Sequence, residues 1–262
     1  MAWSWRRTSW RGLAGVTLVG TLLGLLSSTV PAHAIVNGTK ATRMPPYMAS
    51  LQEYRRHICG GVILDDRTIL TAAHCLQRQS PPSALSVGVG SLRLDGTTNY
   101  PVEKYVVHPQ YSMFVEYNND VAVLKLATPL TFKPGSVGPV SWPPSSGQPP
   151  YGQILSIAGW GLLSEGGSAP NDLYTTNVMV LRNDEEGCSN YSREGRLSDT
   201  MFCAGYPDGH TDACQGDSGG ALVNRYNELV GIASWGQGCA LPGRAGVYTN
   251  VNKLYSWIKA NM

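Results

Sequence analysis

Ser218 is the residue whose neighbours most favour covalent chemistry. It lies in the run Gly-Asp-Ser-Gly-Gly at positions 216–220. A serine hydroxyl is a weak nucleophile at neutral pH unless a nearby base takes its proton. The flanking glycines let backbone N–H groups turn toward the oxyanion that forms when a carbonyl carbon is attacked. The run therefore predicts a nucleophile, and the rest of the chain must supply a base, a group that orients the base, and a binding pocket.

Two other segments contain residue types that could serve such a nucleophile. His74 lies in Thr-Ala-Ala-His-Cys at 71–75, after a strand-like segment, although an isolated histidine is more often a polar or core residue. Asp120 opens an apolar segment, where burying a carboxylate costs several kcal/mol unless it is hydrogen-bonded. We therefore expect Asp120 to have a partner, with a turn residue at a strand end as the alternative interpretation.

Short strand-like segments separated by turn residues make up most of the remaining sequence. Apolar or β-branched segments lie at 61–64, 68–71, 85–89, 102–108 and 121–126, and a connection with seven prolines follows at 129–150. More strand-like segments lie at 154–158, 176–181, 221–223, 229–234 and 247–251, with a hairpin turn at 224–228. The last segment has helical spacing, with Val251, Leu254 and Ile258 on one face and Asn250 or Asn252 as its cap. This order predicts paired β-barrels and a terminal helix.

The first 34 residues have the composition of a secretory signal peptide. Arg6, Arg7 and Arg11 precede an apolar run at 13–26, and the segment ends in Ala-x-Ala at 32–34. A membrane anchor is the alternative, but the run is short for a span and contains three glycines. The arginine pair leaves twin-arginine export open beside ordinary secretion. Cleavage after Ala32 and cleavage after Ala34 both fit the pattern.

The charge balance excludes partners that require a strongly basic surface. The net charge is +2, but without the three leader arginines the chain has 17 basic and 18 acidic residues. We therefore expect no nucleic-acid partner and no membrane contact after leader removal. Six cysteines follow the leader and predict three disulfides whose connectivity these residues leave open. No C-x-x-C pair occurs, so no metal site and no cofactor are predicted.

An ordered set of motifs resembles the chymotrypsin-like serine proteases, in particular the trypsins. The motifs are Ile-Val-Asn-Gly (35–38), Cys-Gly-Gly (59–61), Thr-Ala-Ala-His-Cys (71–75), Asn-Asp-Val-Ala-Val-Leu (119–124), Ala-Gly-Trp-Gly (158–161), Phe-Cys-Ala-Gly (202–205), Gly-Asp-Ser-Gly-Gly (216–220), Ser-Trp-Gly (234–236) and Gly-Val-Tyr (246–248). The likeness spans residues 35–262. It implies an all-β peptidase domain with two packed six-stranded antiparallel β-barrels, at about 35–128 and 151–262, and a C-terminal α-helix.

The resemblance also implies catalytic roles for the candidate residues. His74 would be the general base, Asp120 would orient its ring, and Ser218 would be the nucleophile. The N–H groups of Gly216 and Ser218 would form the oxyanion hole. The implied disulfides are Cys59–Cys75, Cys188–Cys203 and Cys214–Cys239, and so small a set is similar to that of secreted microbial trypsins.

Specificity and activation are implied in the same way. Asp212 would be the acid of the primary pocket, whose other residues are Ala213, Ser234, Trp235, Gly236 and Gly246. Because Ala213 has no hydroxyl to assist a lysine ammonium, we expect arginine to be preferred over lysine. Asp217 would pair with the ammonium of Ile35, which leader cleavage after Ala34 would itself produce.

Together these roles predict an extracellular, monomeric serine endopeptidase. Its partners would be proteins or peptides with Arg or Lys at the cleavage site, and protein inhibitors. One alternative is a catalytically inert secreted binding protein on the same fold. Another is a chymotrypsin-like or elastase-like specificity, which Asp212 argues against. His57, beside Arg55 and Arg56, is expected to be an exposed strand residue without a catalytic role.

Overall fold

The computed structural model of the chain describes residues 35–142 and 147–262. The predicted leader at 1–34, with both cleavage positions, and Pro143-Pro144 of the connection lie outside the described residues. Within those two ranges, no helix is long and apolar enough to span a membrane. The strands are β1 (Thr39–Lys40), β2 (Met48–Glu53), β3 (Arg56–Ile63), β4 (Thr68–Thr71), β5 (Leu85–Val89), β6 (Thr98–Val107), β7 (Ala122–Leu126), β8 (Ile154–Gly159), β9 (Tyr174–Val180), β10 (Met201–Gly205), β11 (Ala221–Val223), β12 (Leu229–Trp235) and β13 (Gly246–Asn250).

The strands form two closed six-stranded antiparallel barrels. The first barrel has the strand order β2-β3-β4-β7-β6-β5. The second has the strand order β9-β10-β13-β12-β11-β8, and the pairing of β8 with β9 closes it. The short strand β1 joins the outside of the second barrel by pairing with β9. The predicted fold class is therefore confirmed.

The strand β7 shows how the sequence places the barrels against each other. Ala122, Leu124 and Leu126 point into the first barrel and pack in its interior cluster. Val121 and Val123 alternate with them and pack in a cluster that also contains residues of the second barrel, such as Ile232. Side chains alternate between the two faces of a strand, so a strand that is apolar on both faces fits only where both are covered.

The helices lie in the second half of the chain and differ in part from the prediction. Two α-helices occur in the described residues, α1 (Ser189–Arg193), which the sequence pattern did not predict, and α2 (Tyr255–Ala260). The cap prediction is wrong, because α2 is preceded by Leu254 and has no side-chain cap. Asn250 instead accepts hydrogen bonds from the N–H groups of Asn252 and Lys253, in the turn before the helix.

Candidate active site

His74 and Asp120 are brought together by neighbouring strands of the first barrel. His74 lies in a short turn directly after β4, and Asp120 lies just before β7, which pairs with β4. Nδ1 of His74 is 2.7 Å from Oδ2 of Asp120, and the backbone N–H of His74 donates to Oδ1 at 2.9 Å. A carboxylate can only accept, so the ring carries its proton on Nδ1 and leaves Nε2 as an acceptor.

The Asp120 carboxylate is fully buried and its oxygens are well supplied with donors. In addition to His74, the hydroxyl of Ser234 donates to Oδ2 at 2.5 Å. Thr249 Oγ1 donates to the backbone carbonyl of Asp120 at 2.9 Å. Ser234 and Thr249 belong to the second barrel and His74 to the first, so donors from both barrels fix the position of Asp120. These donors offset the cost of burying a charge and fix the orientation of the ring.

Ser218 lies in the loop before β11 and lines the same cavity as His74. Its carbonyl accepts from the N–H of Gly60, and the N–H of Gly219 donates to Ala233, each at 2.8 Å. Gly219 has a positive φ of 79°, and a Cβ there would be 2.7 Å from the carbonyl oxygen of Gly60. Glycine is therefore required for the first barrel to approach the serine so closely.

The N–H groups of Gly216 and Ser218 differ from those of the adjacent residues. The N–H of Asp217 donates to the carbonyl of Cys214 at 3.0 Å, and the N–H of Gly219 is bonded as described above. Among the described residues, the N–H groups of Gly216 and Ser218 have no acceptor. Two unused donors beside a nucleophilic hydroxyl can stabilise the oxyanion that forms on the oxygen of a carbonyl group that the hydroxyl attacks.

The cavity beside Ser218 also contains a buried acid. The cavity has a volume of about 200 Å³, and its lining includes Asp212, Ala213, Ser234, Trp235, Gly236 and Gly246. Asp212 is 4% exposed and accepts from the N–H groups of Ala213 at 2.8 Å and Ala240 at 3.2 Å. Burial raises the pKa of Asp212 to about 7 despite these hydrogen bonds. A cation that enters the cavity would stabilise the ionised form.

The absence of a side chain at Gly246 keeps the space next to Asp212 open. A Cβ at this position would lie 2.7 Å from Oδ1 of Asp212. At Gly236 a Cβ would make only ordinary contacts, 3.5 Å from the carbonyl oxygen of Gly238. The disulfide Cys214–Cys239 connects the segments on which Asp212 and Gly238 lie. The other two disulfides are Cys59–Cys75 and Cys188–Cys203, so the three pairs are those that the resemblance implies.

Asp217 and Ile35 are both fully buried. Asp217 accepts from the N–H of Gly161 at 2.8 Å and from that of Cys214 at 2.9 Å. Burial raises the pKa of Asp217 to about 7, since these two donors compensate only part of the lost hydration. Ile35 packs in the apolar cluster of the second barrel, and the N–H of Val36 donates to the carbonyl of Asp212 at 3.1 Å.

His57 corrects one expectation from the sequence. It is not an exposed strand residue, because its ring is partly buried, with its centroid 5.9 Å from that of Trp160, and its Nε2 lies 3.0 Å from the carbonyl oxygen of Gly216. Its Nδ1 lies 2.9 Å from the hydroxyl of Ser50. The arginines before it suggested exposure, but they occupy the end of the β2–β3 hairpin, whereas His57 already faces the second barrel.

Two aromatic residues and an arginine form a surface beside the cavity. The ring of Tyr117 stacks on that of Trp235 with a centroid distance of 6.0 Å, and both residues line the cavity. The guanidinium of Arg196 lies 4.6 Å from the Trp235 ring centroid. Tyr117 and Arg196 were not among the predicted site residues, because no local motif marks them.

Comparison with known proteins shows a matching family model and many similar curated proteins, one of which is described below. A family model described as trypsin matches residues 35–258. The chain is 33% identical over 247 residues to "Transmembrane protease serine 11C" of Mus musculus. That alignment covers 92% of this chain but 56% of the mouse protein, so the chain spans little more than half the length of this curated relative.

Proposed function

Because the chain belongs to the trypsin family of chymotrypsin-like serine proteases, we propose that it is a secreted serine endopeptidase that cleaves after arginine and, less rapidly, after lysine. The observation that carries this proposal is a single cavity lined by His74, Ser218 and the buried acid Asp212. A base, a hydroxyl and a site for a cationic side chain then meet at one place. That combination fits hydrolysis of a peptide bond after a basic residue better than it fits simple binding.

In the proposed mechanism, Oγ of Ser218 attacks the carbonyl carbon while Nε2 of His74 takes the hydroxyl proton. The oxyanion of the tetrahedral intermediate accepts hydrogen bonds from the N–H groups of Gly216 and Ser218. Collapse breaks the C–N bond, Nε2 returns the proton to the leaving amine, and an acyl-enzyme remains. Water then attacks the acyl-enzyme with His74 again acting as the base, and collapse of the second tetrahedral intermediate releases the acid product and returns the proton to Ser218. These roles are those of the family, and the free N–H groups and the Nδ1–Asp120 hydrogen bond support them here.

Asp120 is proposed to act on His74 and not on the substrate. Its hydrogen bond to Nδ1 holds the tautomer in which Nε2 can accept a proton. It also stabilises the imidazolium that forms after proton transfer. Ser234 assists by donating to the same carboxylate oxygen. The buried position of Asp120 supports this role, since water does not screen the interaction.

Asp212 is proposed to select the residue before the cleaved bond. An arginine side chain can pair with both oxygens of the carboxylate, whereas a lysine ammonium is a single point charge that gains more from an extra hydroxyl acceptor. Ala213, which lines the same cavity, provides no such hydroxyl. Arginine should therefore be preferred.

The active terminus is proposed to arise when cleavage after Ala34 frees the amino group of Ile35. Its ammonium would then pair with Asp217, the acid next to Ser218. The burial of Ile35 and the absence of a cation next to Asp217 in the described residues support this pairing. In this proposal residues 1–34 are a signal peptide and 35–262 the peptidase domain, and the set of three disulfides is similar to that of secreted microbial trypsins. The enzyme would be an extracellular monomer, and its partners would be substrates and protein inhibitors.

The test is a combined labelling and cleavage experiment on the secreted protein. We expect an organophosphate to label Ser218 stoichiometrically and peptides to be cut after Arg, then Lys, but not after Phe or Ala. Ser218→Ala should remove both results, and Ser156→Ala, at a half-buried serine that donates to Asn177, should change neither. A folded protein that is not labelled and cuts nothing would instead be the inert binding protein. Cleavage after Phe or Ala would contradict the specificity alone.

A further inference from the structure

A second cavity lies beside β8 and shares no lining residue with the one that contains Ser218. Its volume of about 530 Å³ lies within the usual range for small-molecule sites, about 300–1,000 Å³. We call it the β8 groove. One wall is the chain segment before β2, and the opposite wall includes β8 and the first residues of β9. It is independent of the proposed catalytic residues.

The β8 groove is mainly apolar and stiff. Met44 lines the groove, and three prolines, Pro45, Pro46 and Pro139, contribute rings that cannot rearrange by backbone rotation. Its lining hydroxyls on the strands are already used, since Ser156 donates to Asn177 at 2.8 Å and Thr175 donates to the carbonyl of Ile157 at 2.9 Å. Such a surface favours an apolar body of fixed shape.

Tyr47 is the exception among the buried groups of the β8 groove. The residue is 8% exposed, yet its hydroxyl has no hydrogen-bond partner among the described residues. The hydroxyl oxygen itself is not fully enclosed, so it can donate a hydrogen bond to a molecule that occupies the groove. Burial raises the pKa of Tyr47 to about 12, so the hydroxyl keeps its proton and remains a donor at neutral pH. Tyr47 therefore provides the groove with a donor that no described residue uses.

Arg43 supplies the only charge in the lining. It is exposed at the groove and makes no ion pair or hydrogen bond with any described residue. A guanidinium has several N–H donors in a planar fork that matches a carboxylate. Two donors without acceptors, one charged and one neutral, thus accompany an apolar surface.

We propose that the β8 groove binds a small amphiphilic carboxylate. Its apolar body packs on Met44 and the proline rings, and its carboxylate accepts hydrogen bonds from the Arg43 guanidinium and the Tyr47 hydroxyl. The charge of Arg43 excludes an amphiphilic amine, and the unpaired Tyr47 hydroxyl distinguishes an acid from a plain hydrocarbon. This site is independent of proteolysis and would exist equally in an inert binding protein.

The test uses the full secreted product with Ser218→Ala and sodium octanoate as the probe. Amide NMR signals of the groove are followed with octanoate and with two ligands of the same chain length, octanol and octylammonium. We expect saturable shifts centred on Tyr47, Ile157 and Thr175, with octanoate bound about ten-fold more tightly than octylammonium. Arg43→Glu should weaken octanoate binding about ten-fold, and Tyr47→Phe about three-fold.

Arg78→Ala is the matched control, since its side chain is 86% exposed and does not line the groove. It should leave octanoate binding unchanged. The proposal is overturned if octylammonium or octanol binds as tightly as octanoate, if Arg43→Glu has no effect, or if octanoate up to its solubility limit gives no saturable shift at the groove. Because the three ligands are compared on the same folded protein, a variant that fails to fold does not decide the result.

Discussion

Nε2 of His57 lies 3.0 Å from the carbonyl oxygen of Gly216, although the two residues belong to different barrels. A carbonyl only accepts, so Nε2 carries the ring proton and Nδ1 accepts from the Ser50 hydroxyl at 2.9 Å. The neutral ring is thereby satisfied at both nitrogens. It supports the backbone of Gly216 directly beside the N–H groups that we propose as the oxyanion hole.

This contact predicts a loss of stability in acid. Burial lowers the pKa of His57 from 6.5 to about 4, so the unfolded chain binds more protons than the folded one between these values. The contribution of the neutral ring is complete above about pH 6.5 and is lost as the pH falls toward 4. The full shift corresponds to roughly 3 kcal/mol of unfolding free energy. Urea unfolding of the Ser218→Ala form between pH 4 and 8 measures it.

The matched control is His210, which is an exposed histidine paired with Asp208. Between pH 4 and 6.5, the unfolding free energy of His57→Gln should rise with pH by up to about 3 kcal/mol less than that of the parent, while His210→Gln should follow the parent. Asp212 and Asp217 also titrate in this interval. Because all three proteins contain both residues, their contributions to the unfolding free energy cancel when the proteins are compared. Equal slopes for His57→Gln and the parent would contradict the role given to this ring.

The second prediction concerns the preference for arginine. We expect kcat/KM on matched peptides to be about ten-fold higher with Arg than with Lys, the size of one hydrogen bond to a charged group. Ala213→Ser should narrow that ratio by improving lysine substrates. Asp212→Asn should lower cleavage after both residues by about 10⁴-fold, because the cation would lose its partner. Equal Arg and Lys values in the parent enzyme would refute the argument from Ala213.

The third prediction concerns the terminus at Ile35. Without a cation the buried Asp217, with its pKa raised to about 7, favours folding most at low pH and loses that contribution as the pH rises through 7. An ammonium at Ile35 would stabilise the ionised carboxylate, so ionisation of Asp217 would no longer destabilise the fold. At pH 8 the form that begins at Ile35 should therefore be more active, and more stable by about 3–5 kcal/mol, than one retaining His33-Ala34.

N-terminal sequencing, active-site titration and urea unfolding check this comparison. At pH 5 the two forms should differ less in stability, because Asp217 is then neutral without a partner. A Gly-Gly extension is a suitable control, since any blocked amino group should act like His33-Ala34. Full activity of the extended form would show that no free terminus at Ile35 is needed.

Ser234→Ala is the fourth test. The Ser234 hydroxyl donates to Asp120 at 2.5 Å, so its loss should loosen the carboxylate that orients His74. We expect kcat to fall about five-fold with little change in KM, within the range for one lost hydrogen bond. Because the effect acts through the imidazole, the pH at which kcat is half-maximal should also shift. An unchanged kcat and pH profile would show that the other donors hold Asp120 unaided.

The strand predictions are most accurate where the apolar pattern of a segment directly reflects the burial of its side chains. The segments at 68–71 and 85–89 match β4 and β5 to the residue, because every residue in them except Ser86 is buried. The strand β2 was missed, since the polar residues Ser50 and Gln52 interrupt its pattern although both are buried. Polar burial depends on partners from distant strands, which a local pattern does not contain.

The candidate site shows the same limit. Motifs predicted His74, Asp120 and Ser218, and the structure brings His74 and Asp120 into contact, with Ser218 lining the same cavity. His57 reaches the site through the packing of one barrel on the other, and Tyr117 reaches it because its loop places its ring 5.7 Å from that of His74. Nothing in the flanking residues indicates either contact, and for His57 the adjacent arginines suggested exposure.

The connection at 129–150 divides the proposed chemistry between two pieces of chain. His74 and Asp120 come before it, and Ser218 and Asp212 come after it. Severing one peptide bond there would yield fragments that each contain a complete barrel but only half of the reacting groups. Turnover would then depend on the concentration of both fragments, and so would report directly on how tightly the two barrels associate.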